Sequence, residues 1–169
     1  RMPGLADDDP VVLAYSQTRE PVTLTARQLR DQVRRVAAGL RRLGVGPGDR
    51  VAAYAPNIPE TYVAMLATAS LGAVWSSCSP DFGVKGVVDR FGQIEPKVLF
   101  SADGYRYAGK EIDSLSRVRE IVREVRSIRR VVVVPQLGET PGEFESWGAF
   151  REPGTGNREP RLRGSSVPG

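Results

Sequence analysis

Short apolar, β-branched runs alternate with segments of helical periodicity along most of this chain. Four runs are predicted as strands: Val51–Ala55, Ala73–Ser77, Lys97–Phe100 and Val131–Pro135. Three segments between them are predicted as helices: Glu60–Leu71, Val84–Phe91 and Asp113–Arg126. Strands that alternate with helices pair in parallel through right-handed crossovers, and the helices cover both faces of the sheet. We therefore predict an α/β fold with a doubly wound, mostly parallel sheet.

A short β-hairpin and a helix are predicted ahead of this sheet. Two apolar runs, Val11–Tyr15 and Val22–Leu24, flank a polar turn, which favours a hairpin. From Thr25 onward, apolar residues recur at spacings of four and three, which is typical of one face of a helix. Thr25 and Gln28 form a capping-box pattern at the start of this helix, and Gly44 suits a left-handed stop at its end.

The segment after residue 135 differs in composition from the predicted sheet. Between Arg151 and Gly169, seven of nineteen residues are Gly or Pro, and only Leu162 and Val167 are aliphatic. Such a segment lacks the apolar side chains needed to build a core. We therefore predict one partial domain over residues 11–135 and an irregular or disordered tail over residues 136–169. Translation of a GC-rich gene out of frame is one hypothesis for this tail.

The absence of histidine excludes several classes of catalytic site. The chain has no His and a single cysteine, Cys78, so it cannot form a His-dependent triad, an imidazole metal site or an internal disulfide. No apolar run approaches the roughly 20 residues that span a bilayer, and no signal-peptide pattern opens the chain. We predict a cytoplasmic protein without membrane contact.

The formal charge of +4 arises mostly from arginines in "RDQVRRVAAGLRRLG" and "RVREIVREVRSIRR". Apolar residues at helical spacing lie among these arginines, and acidic residues are interleaved in the second segment. This pattern favours solvated helix faces over a nucleic-acid interface. We do not expect nucleic-acid binding.

Three loops that follow predicted strands are candidates for ligand contact, because ligands of doubly wound sheets bind at the carboxyl ends of the strands. These loops are Pro56–Pro59, Ser77–Gly83 and Ala102–Lys110. All three should open on one edge of the sheet. Cys78 in the second loop would need a cationic neighbour or a helix N-terminus to become a nucleophile, so a small buried side chain is the favoured interpretation.

Two of these loops contain residue types that suit an anionic ligand. Asp81 or Ser79 could cap the helix that follows, or could line a ligand site, and the two roles can coexist. Arg106 and Lys110 accompany two tyrosines, which suits contact with phosphate and adenine. An ordinary basic loop is the alternative for this second pair.

Long phrases of the sequence resemble one enzyme family. "GDRVAAYAPNIPETYVAMLATASLGAVWSSCSPDFG" and "DRFGQIEPKVLFSADGYRYAGKEID" are similar to the N-terminal domain of acyl-CoA synthetases in the acyl-adenylate-forming, or AMP-binding, superfamily. Within it, "SSCSPDFG" and "YRYAGK" resemble the acetoacetyl-CoA synthetases more than the acetyl-CoA enzymes. The resemblance implies the first subdomain of such a domain and an ATP-dependent acid–CoA ligase. Its substrates would be acetoacetate, ATP and CoA, with Mg²⁺ expected in the full-length enzyme.

The resemblance also implies positions for the CoA molecule. The loop that matches Ser79, Pro80 and Asp81 would lie near the pantetheine arm, and the loop that matches Arg106 and Lys110 would meet the nucleotide phosphates. Acetyl-CoA enzymes have glycines where Pro80 and Asp81 stand, which puts close backbone approach to the arm in doubt. Their basic loop aligns in two ways with this chain, so that either Arg106 or Tyr107 takes its first position, and Lys110 fits its second position in both.

Several parts of the family's machinery lie beyond the matching region, which ends near residue 134. They are the phosphate loop with its lysine, the adenine pocket, the ribose-binding aspartate and the C-terminal catalytic lysine. The resemblance therefore implies no catalytic residue, no ATP site and no metal site in this chain, and the chain alone should be inactive. The alternative function is a non-catalytic, stand-alone module that binds a CoA-like nucleotide, a partner protein or nucleic acid.

Overall fold

The computed structural model describes residues 4–16, 19–138 and 140–152. The strands are β1 (Pro10–Ala14), β2 (Val22–Thr25), β3 (Arg50–Tyr54), β4 (Val74–Cys78), β5 (Val98–Ala102), β6 (Gly104–Tyr107), β7 (Lys110–Asp113), β8 (Arg130–Val134) and β9 (Glu145–Ser146). The helices are α1 (Ala26–Arg42), α2 (Pro59–Ser70), α3 (Val84–Ile94), α4 (Leu115–Glu124) and α5 (Trp147–Arg151). No helix within these residues combines the length and the apolar character of a membrane span.

A parallel sheet forms the centre of the described residues. Its five strands lie in the order β4-β3-β5-β8-β9, and every neighbouring pair is parallel. Because all neighbouring strands are parallel, each connection must return from the carboxyl end of one strand to the amino end of the next, as crossovers do in doubly wound folds. The predicted fold class is confirmed, and the predicted strands and helices of residues 51–135 are all present, with ends shifted by a few residues.

The helices pack on both faces of this sheet, because side chains of a strand alternate between its faces. Val51 and Ala53 of β3 lie in one apolar cluster with α1, α2 and α5. Ala52 and Tyr54 of the same strand lie in a second cluster with α3 and α4. The four residues are fully buried, so β3 is covered on both faces, and its near-continuous apolar sequence is the expected result.

The N-terminal elements also agree with the sequence. Strands β1 and β2 form an antiparallel hairpin. The Thr25 hydroxyl accepts a hydrogen bond from the Gln28 amide at 3.3 Å, and the Gln28 side chain accepts one from the Thr25 amide at 2.9 Å. This reciprocal pair is the predicted capping box. Gly44 follows the helix with a φ of 75°, the left-handed conformation expected of a helix stop.

The segment predicted as a loop after β5 is instead a second hairpin. Strands β6 and β7 pair in antiparallel fashion, with Tyr107 opposite Lys110. The two turn residues, Ala108 and Gly109, have φ values of 50° and 76°. Positive φ at both positions matches the twist of the flanking strands, which is why such two-residue turns close hairpins. Arg106 and Lys110 are therefore strand residues with defined directions.

Ordered structure continues past residue 135, which corrects the prediction of an irregular segment for residues 145–151. Strand β9 extends the sheet beside β8, and α5 begins at once after it. Trp147 and Phe150 of α5 are buried in the core, where their rings approach Phe100 at 6.0 Å and 5.6 Å. Residues 153–169 of the predicted tail lie outside the described residues.

Candidate functional site

The loops after β3, β4 and β5 meet at the carboxyl edge of the sheet, as predicted. Asn57 and Pro59, from the loop after β3 and the start of α2, line one cleft of about 190 Å³ together with Tyr105 and Arg106 of the second hairpin. The loop after β4 is joined to the end of β3 by hydrogen bonds from the Tyr54 hydroxyl. This shared edge is the candidate functional site.

The loop after β4 forms a tight turn. The Phe82 amide donates a hydrogen bond to the Ser79 carbonyl at 3.1 Å, which closes the turn. Pro80 is buried, whereas Ser79, Asp81 and Phe82 are exposed. The proline fixes the backbone of the turn, and the polar side chains face outward. The turn therefore presents two of the predicted ligand residues to solvent.

The predicted capping role of this turn is wrong. The N-cap of α3 is Gly83, and no side chain caps it. Because neither Ser79 nor Asp81 is used as a cap, both side chains keep their hydrogen-bonding capacity. Of the two roles that the sequence left open for Ser79 and Asp81, capping is excluded and ligand contact stays a prediction.

Tyr54 and Arg117 hold this turn in place. Tyr54 ends β3 and is fully buried, with its hydroxyl 2.7 Å from the Pro80 carbonyl and 3.0 Å from that of Phe82. Burial raises the pKa of Tyr54 above its ordinary value, the bond from Arg117 lowers it, and the charges of Tyr105 and Asp81 raise it further. The Tyr54 hydroxyl therefore stays protonated and acts as a donor at neutral pH.

The second hairpin directs its two cations to opposite faces. Arg106 lies opposite Glu111 in the strand register, and its guanidinium contacts the Glu111 carboxylate at 2.6 Å. Lys110 lies opposite Tyr107, and directly opposed residues share a face of the ribbon. Side chains of successive strand residues alternate, so Arg106 and Lys110 lie on different faces. The structure does not bring the two predicted phosphate ligands together.

The two cations also differ in electrostatic state. The charge of Arg106 is paired within the hairpin, although both partners remain about half exposed, at 48% and 56%. None of the ion pairs among the described residues includes Lys110, and its side chain is exposed. Lys110 is therefore the better placed of the two to attract an anion.

Asp103 was missed by sequence reasoning and organises the loop after β8. Its buried carboxylate accepts hydrogen bonds from the amides of Gln136 at 2.6 Å, Leu137 at 3.0 Å and Gly138 at 2.8 Å. These bonds hold Gln136 in the wall of the cleft. The sequence held one signal of this role, because Asp103 is a polar residue directly after the apolar strand β5. Tyr54 and Arg117 gave no comparable signal, because their partners lie far away in sequence.

Cys78 has the properties of a structural residue. Its side chain is buried at the end of β4. Burial raises the pKa of its thiol above the ordinary value, and nearby Arg90 offsets this only in part. A raised pKa disfavours the thiolate, which is the nucleophilic form. The interpretation of Cys78 as a small buried side chain therefore agrees with the structure.

Comparison with known proteins identifies the family. The family model for AMP-binding enzymes matches residues 6–162. The chain belongs to the AMP-binding enzyme family. Its relatives include an acetoacetyl-coenzyme A synthetase of Rhizobium meliloti (strain 1021), 53% identical over 69% of this chain and 18% of the relative. The acetoacetyl-CoA synthetase of Mus musculus is 40% identical over 96% of this chain and 25% of the relative.

A solved structure of this family shows the same fold. Acetoacetyl-CoA synthetase from Streptomyces lividans matches with a TM-score of 0.81 and 49% sequence identity. The match covers 90% of this chain and 23% of that protein. The predicted resemblance to acyl-CoA synthetases is thus confirmed, and the fold corresponds to part of their N-terminal domain. The chain spans about a quarter or less of the length of the relatives it matches. The family match also continues past residue 135, the predicted end of the domain.

Proposed function

We propose that this chain is the CoA-binding side of an ATP-dependent ligase that converts acetoacetate to acetoacetyl-CoA. The observation that carries the proposal is its identity of 40–53% to the acetoacetyl-CoA synthetases of several organisms. In the proposed reaction, the acetoacetate carboxylate attacks ATP to give an acyl-adenylate and pyrophosphate. The CoA thiol then displaces AMP. A cytoplasmic location stays a prediction.

The residues of this chain would bind CoA and would leave adenylate formation to other parts of the ligase. We assign the turn of Ser79, Pro80 and Asp81 to the pantetheine arm, and the β6–β7 hairpin to the nucleotide phosphates. Support comes from their common position at the carboxyl edge of the sheet, where ligands of doubly wound folds bind. No group of three or more Cys, Asp or Glu side chains in the described part could hold a metal ion. We assign the Mg²⁺ expected in the full-length enzyme to the other parts of the ligase.

Within the hairpin, we expect Lys110 to contribute more to phosphate binding than Arg106. The Lys110 ammonium has no competing carboxylate, whereas the Arg106 guanidinium must share its charge with Glu111 at 2.6 Å. An incoming phosphate would have to displace Glu111 or tolerate its negative charge, and either one weakens the attraction. Lys110 also lies on the same face of the hairpin as Tyr105, which lines the cleft at the carboxyl edge of the sheet.

An exposed apolar groove supports the interpretation that the chain packs against the rest of a ligase. Leu13, Tyr15 and Tyr62 are 64%, 81% and 43% exposed, and they line a groove of about 470 Å³ with Met65 and Trp75. The groove borders β4, the strand at the edge of the sheet. Contiguous apolar surface of this kind marks interaction sites, and a partner of this chain would be the remaining three-quarters of a synthetase.

A chimera tests the proposed reaction. Residues 11–135 of this chain would replace the matching segment of the Streptomyces lividans enzyme, which is 49% identical. We expect the chimera to retain acetoacetate-dependent ATP–pyrophosphate exchange and acetoacetyl-CoA formation, and the isolated chain to show no exchange above a blank. ATP–pyrophosphate exchange by the isolated chain would refute the proposal. A folded chimera without acetoacetate-dependent exchange would refute it as well.

Variants of the same chimera test the hairpin assignment. We expect Lys110→Ala to raise the KM for CoA about tenfold, and Arg106→Ala to raise it about threefold at most, since an exposed paired charge contributes little. The KM for ATP should not change. Arg123→Ala is the matched control, because Arg123 is also exposed but lies on α4. Equal effects of all three substitutions would contradict the assignment of the hairpin to the phosphates.

A further inference from the structure

The turn formed by Ser79 to Phe82 is held on its buried side by the hydroxyl of Tyr54. The Tyr54 hydroxyl lies 2.7 Å from the Pro80 carbonyl and 3.0 Å from the Phe82 carbonyl. Its single proton can be donated to one oxygen at a time or shared between the two, and the shorter distance favours the Pro80 carbonyl as the main acceptor. Tyr54 belongs to the central, fully buried strand, which makes it a rigid support.

A second anchor comes from α4. Arg117 Nη1 donates a hydrogen bond to the Pro80 carbonyl at 3.0 Å and approaches the Tyr54 hydroxyl at 3.4 Å. The Pro80 carbonyl therefore accepts from two donors, which uses both of its lone pairs. One of these donors is charged, and hydrogen bonds from charged donors are the stronger kind. The turn is thus fixed to β3 and to α4, the helix that packs on the same face of the sheet as the Tyr54 side chain.

The Tyr54 anchor is not available to a ligand directly, whereas Arg117 is partly exposed and uses its Nη1 for the Pro80 carbonyl and the Tyr54 hydroxyl. Tyr54 is fully buried and Pro80 is buried, whereas Ser79 and Asp81 on the outer side of the turn are exposed. The Tyr54 and Arg117 bonds determine the depth and the tilt of the turn, and hence where its exposed groups lie. Their effect on a ligand is therefore exerted through the backbone of the turn.

We propose that Tyr54 and Arg117 are positioning residues for the pantetheine arm of CoA. This inference rests on the proposed function, because it requires that the turn faces that arm. The nucleotide half of CoA, which we assign to the β6–β7 hairpin, does not depend on the turn. Loss of either anchor should therefore weaken binding of ligands that carry the arm and leave binding of the nucleotide half unchanged.

Three ligands separate these cases in the 169-residue chain. They are CoA, pantetheine and adenosine 3′,5′-bisphosphate, each measured by isothermal titration calorimetry. The variants are Tyr54→Phe, Arg117→Gln and Arg117→Lys, with Arg123→Gln as a control on the same helix. Tyr54→Phe keeps the ring and removes only the hydroxyl. Hydrogen exchange of the Phe82 amide, which closes the turn, reports on the turn itself.

We expect Tyr54→Phe and Arg117→Gln to weaken binding of CoA and pantetheine by about tenfold and to speed exchange of the Phe82 amide. Arg117→Lys keeps a charged donor and should restore part of the affinity. Adenosine 3′,5′-bisphosphate should bind all variants equally, and Arg123→Gln should match the parent chain.

Two results would overturn the inference while leaving the proposed function intact. One is unchanged binding of CoA and pantetheine to Tyr54→Phe and Arg117→Gln. The other is an equal loss for all three ligands, which would indicate a general structural defect. If the parent chain binds neither CoA nor pantetheine, the proposed CoA surface fails, and the inference fails with it.

Discussion

Gly39→Ala should destabilise the protein, although the same change stabilises most helices. Gly39 lies inside α1, where alanine is normally favoured over glycine by about 0.5–1 kcal/mol. A Cβ at this position would lie 2.6 Å from Cζ of the Phe150 ring, and two further ring atoms lie within 2.9 Å. The Phe150 ring is 1% exposed and is held against Phe100, so it cannot rotate away freely.

The expected size follows from these two opposing effects. Overpacking a core by one methyl group costs about 1–3 kcal/mol, which exceeds the gain in helix propensity. We therefore expect the free energy of unfolding to fall by about 1–2 kcal/mol in urea denaturation followed by circular dichroism. Gly92→Ala is the control, because Gly92 also lies in a helix but has no atom within 4 Å of the added Cβ. It should stabilise the protein.

A double-mutant cycle attributes the loss to the contact itself. Phe150→Leu removes the ring atoms that meet the new methyl group, so Gly39→Ala should become neutral or stabilising in that background. The expected coupling energy is about 2 kcal/mol. Stabilisation by Gly39→Ala alone, equal to that of Gly92→Ala, would refute the reasoning and with it the placement of α5 on α1.

Three further predictions concern polar groups that are buried or partly buried. Asp103→Ala should lower the free energy of unfolding by about 1–3 kcal/mol, because three loop amides lose their acceptor, and Asp103→Asn should lower it less in the same urea titrations. Burial raises the pKa of Glu145, so its charged form opposes folding. Glu145→Gln should therefore stabilise the protein at pH 7, and the gain should vanish below about pH 4.5. Thermal unfolding at both pH values measures the difference. Burial raises the pKa of Tyr54 above 10.0. The contribution of its protonated hydroxyl to the free energy of unfolding is therefore complete below pH 10.0 and is lost as the pH rises further. In Tyr54→Phe, the free energy of unfolding should depend less on pH in this alkaline range.

The sequence by itself determined the elements that depend on neighbouring residues. The parallel sheet follows from apolar runs that alternate with helical periodicity, and the capping box of Thr25 and Gln28 spans only three residues. The common edge of the three candidate segments followed from the sequence, because topology alone brings the carboxyl ends of parallel strands to one edge. The resemblance to acyl-CoA synthetases could also be recognised from the sequence, because it rests on uninterrupted segments of the chain.

Only the tertiary structure decided the features that join distant residues. The β6–β7 hairpin was missed because its turn, Ala108 and Gly109, lacks the Asn-Gly or Asp-Gly pair that usually marks one. Strand β9 and α5 are too short, at two and five residues, to show a period, and their stability comes from packing rings against the core.

The candidate site divides in the same way. The sequence placed Ser79, Asp81 and Lys110 at the carboxyl edge of the sheet, but it could not reveal how they are held there. The bonds from Tyr54 and Arg117 to the Pro80 carbonyl cross 26 and 37 residues of chain. No local pattern encodes such contacts, because they exist only once β3, β4 and α4 have packed together.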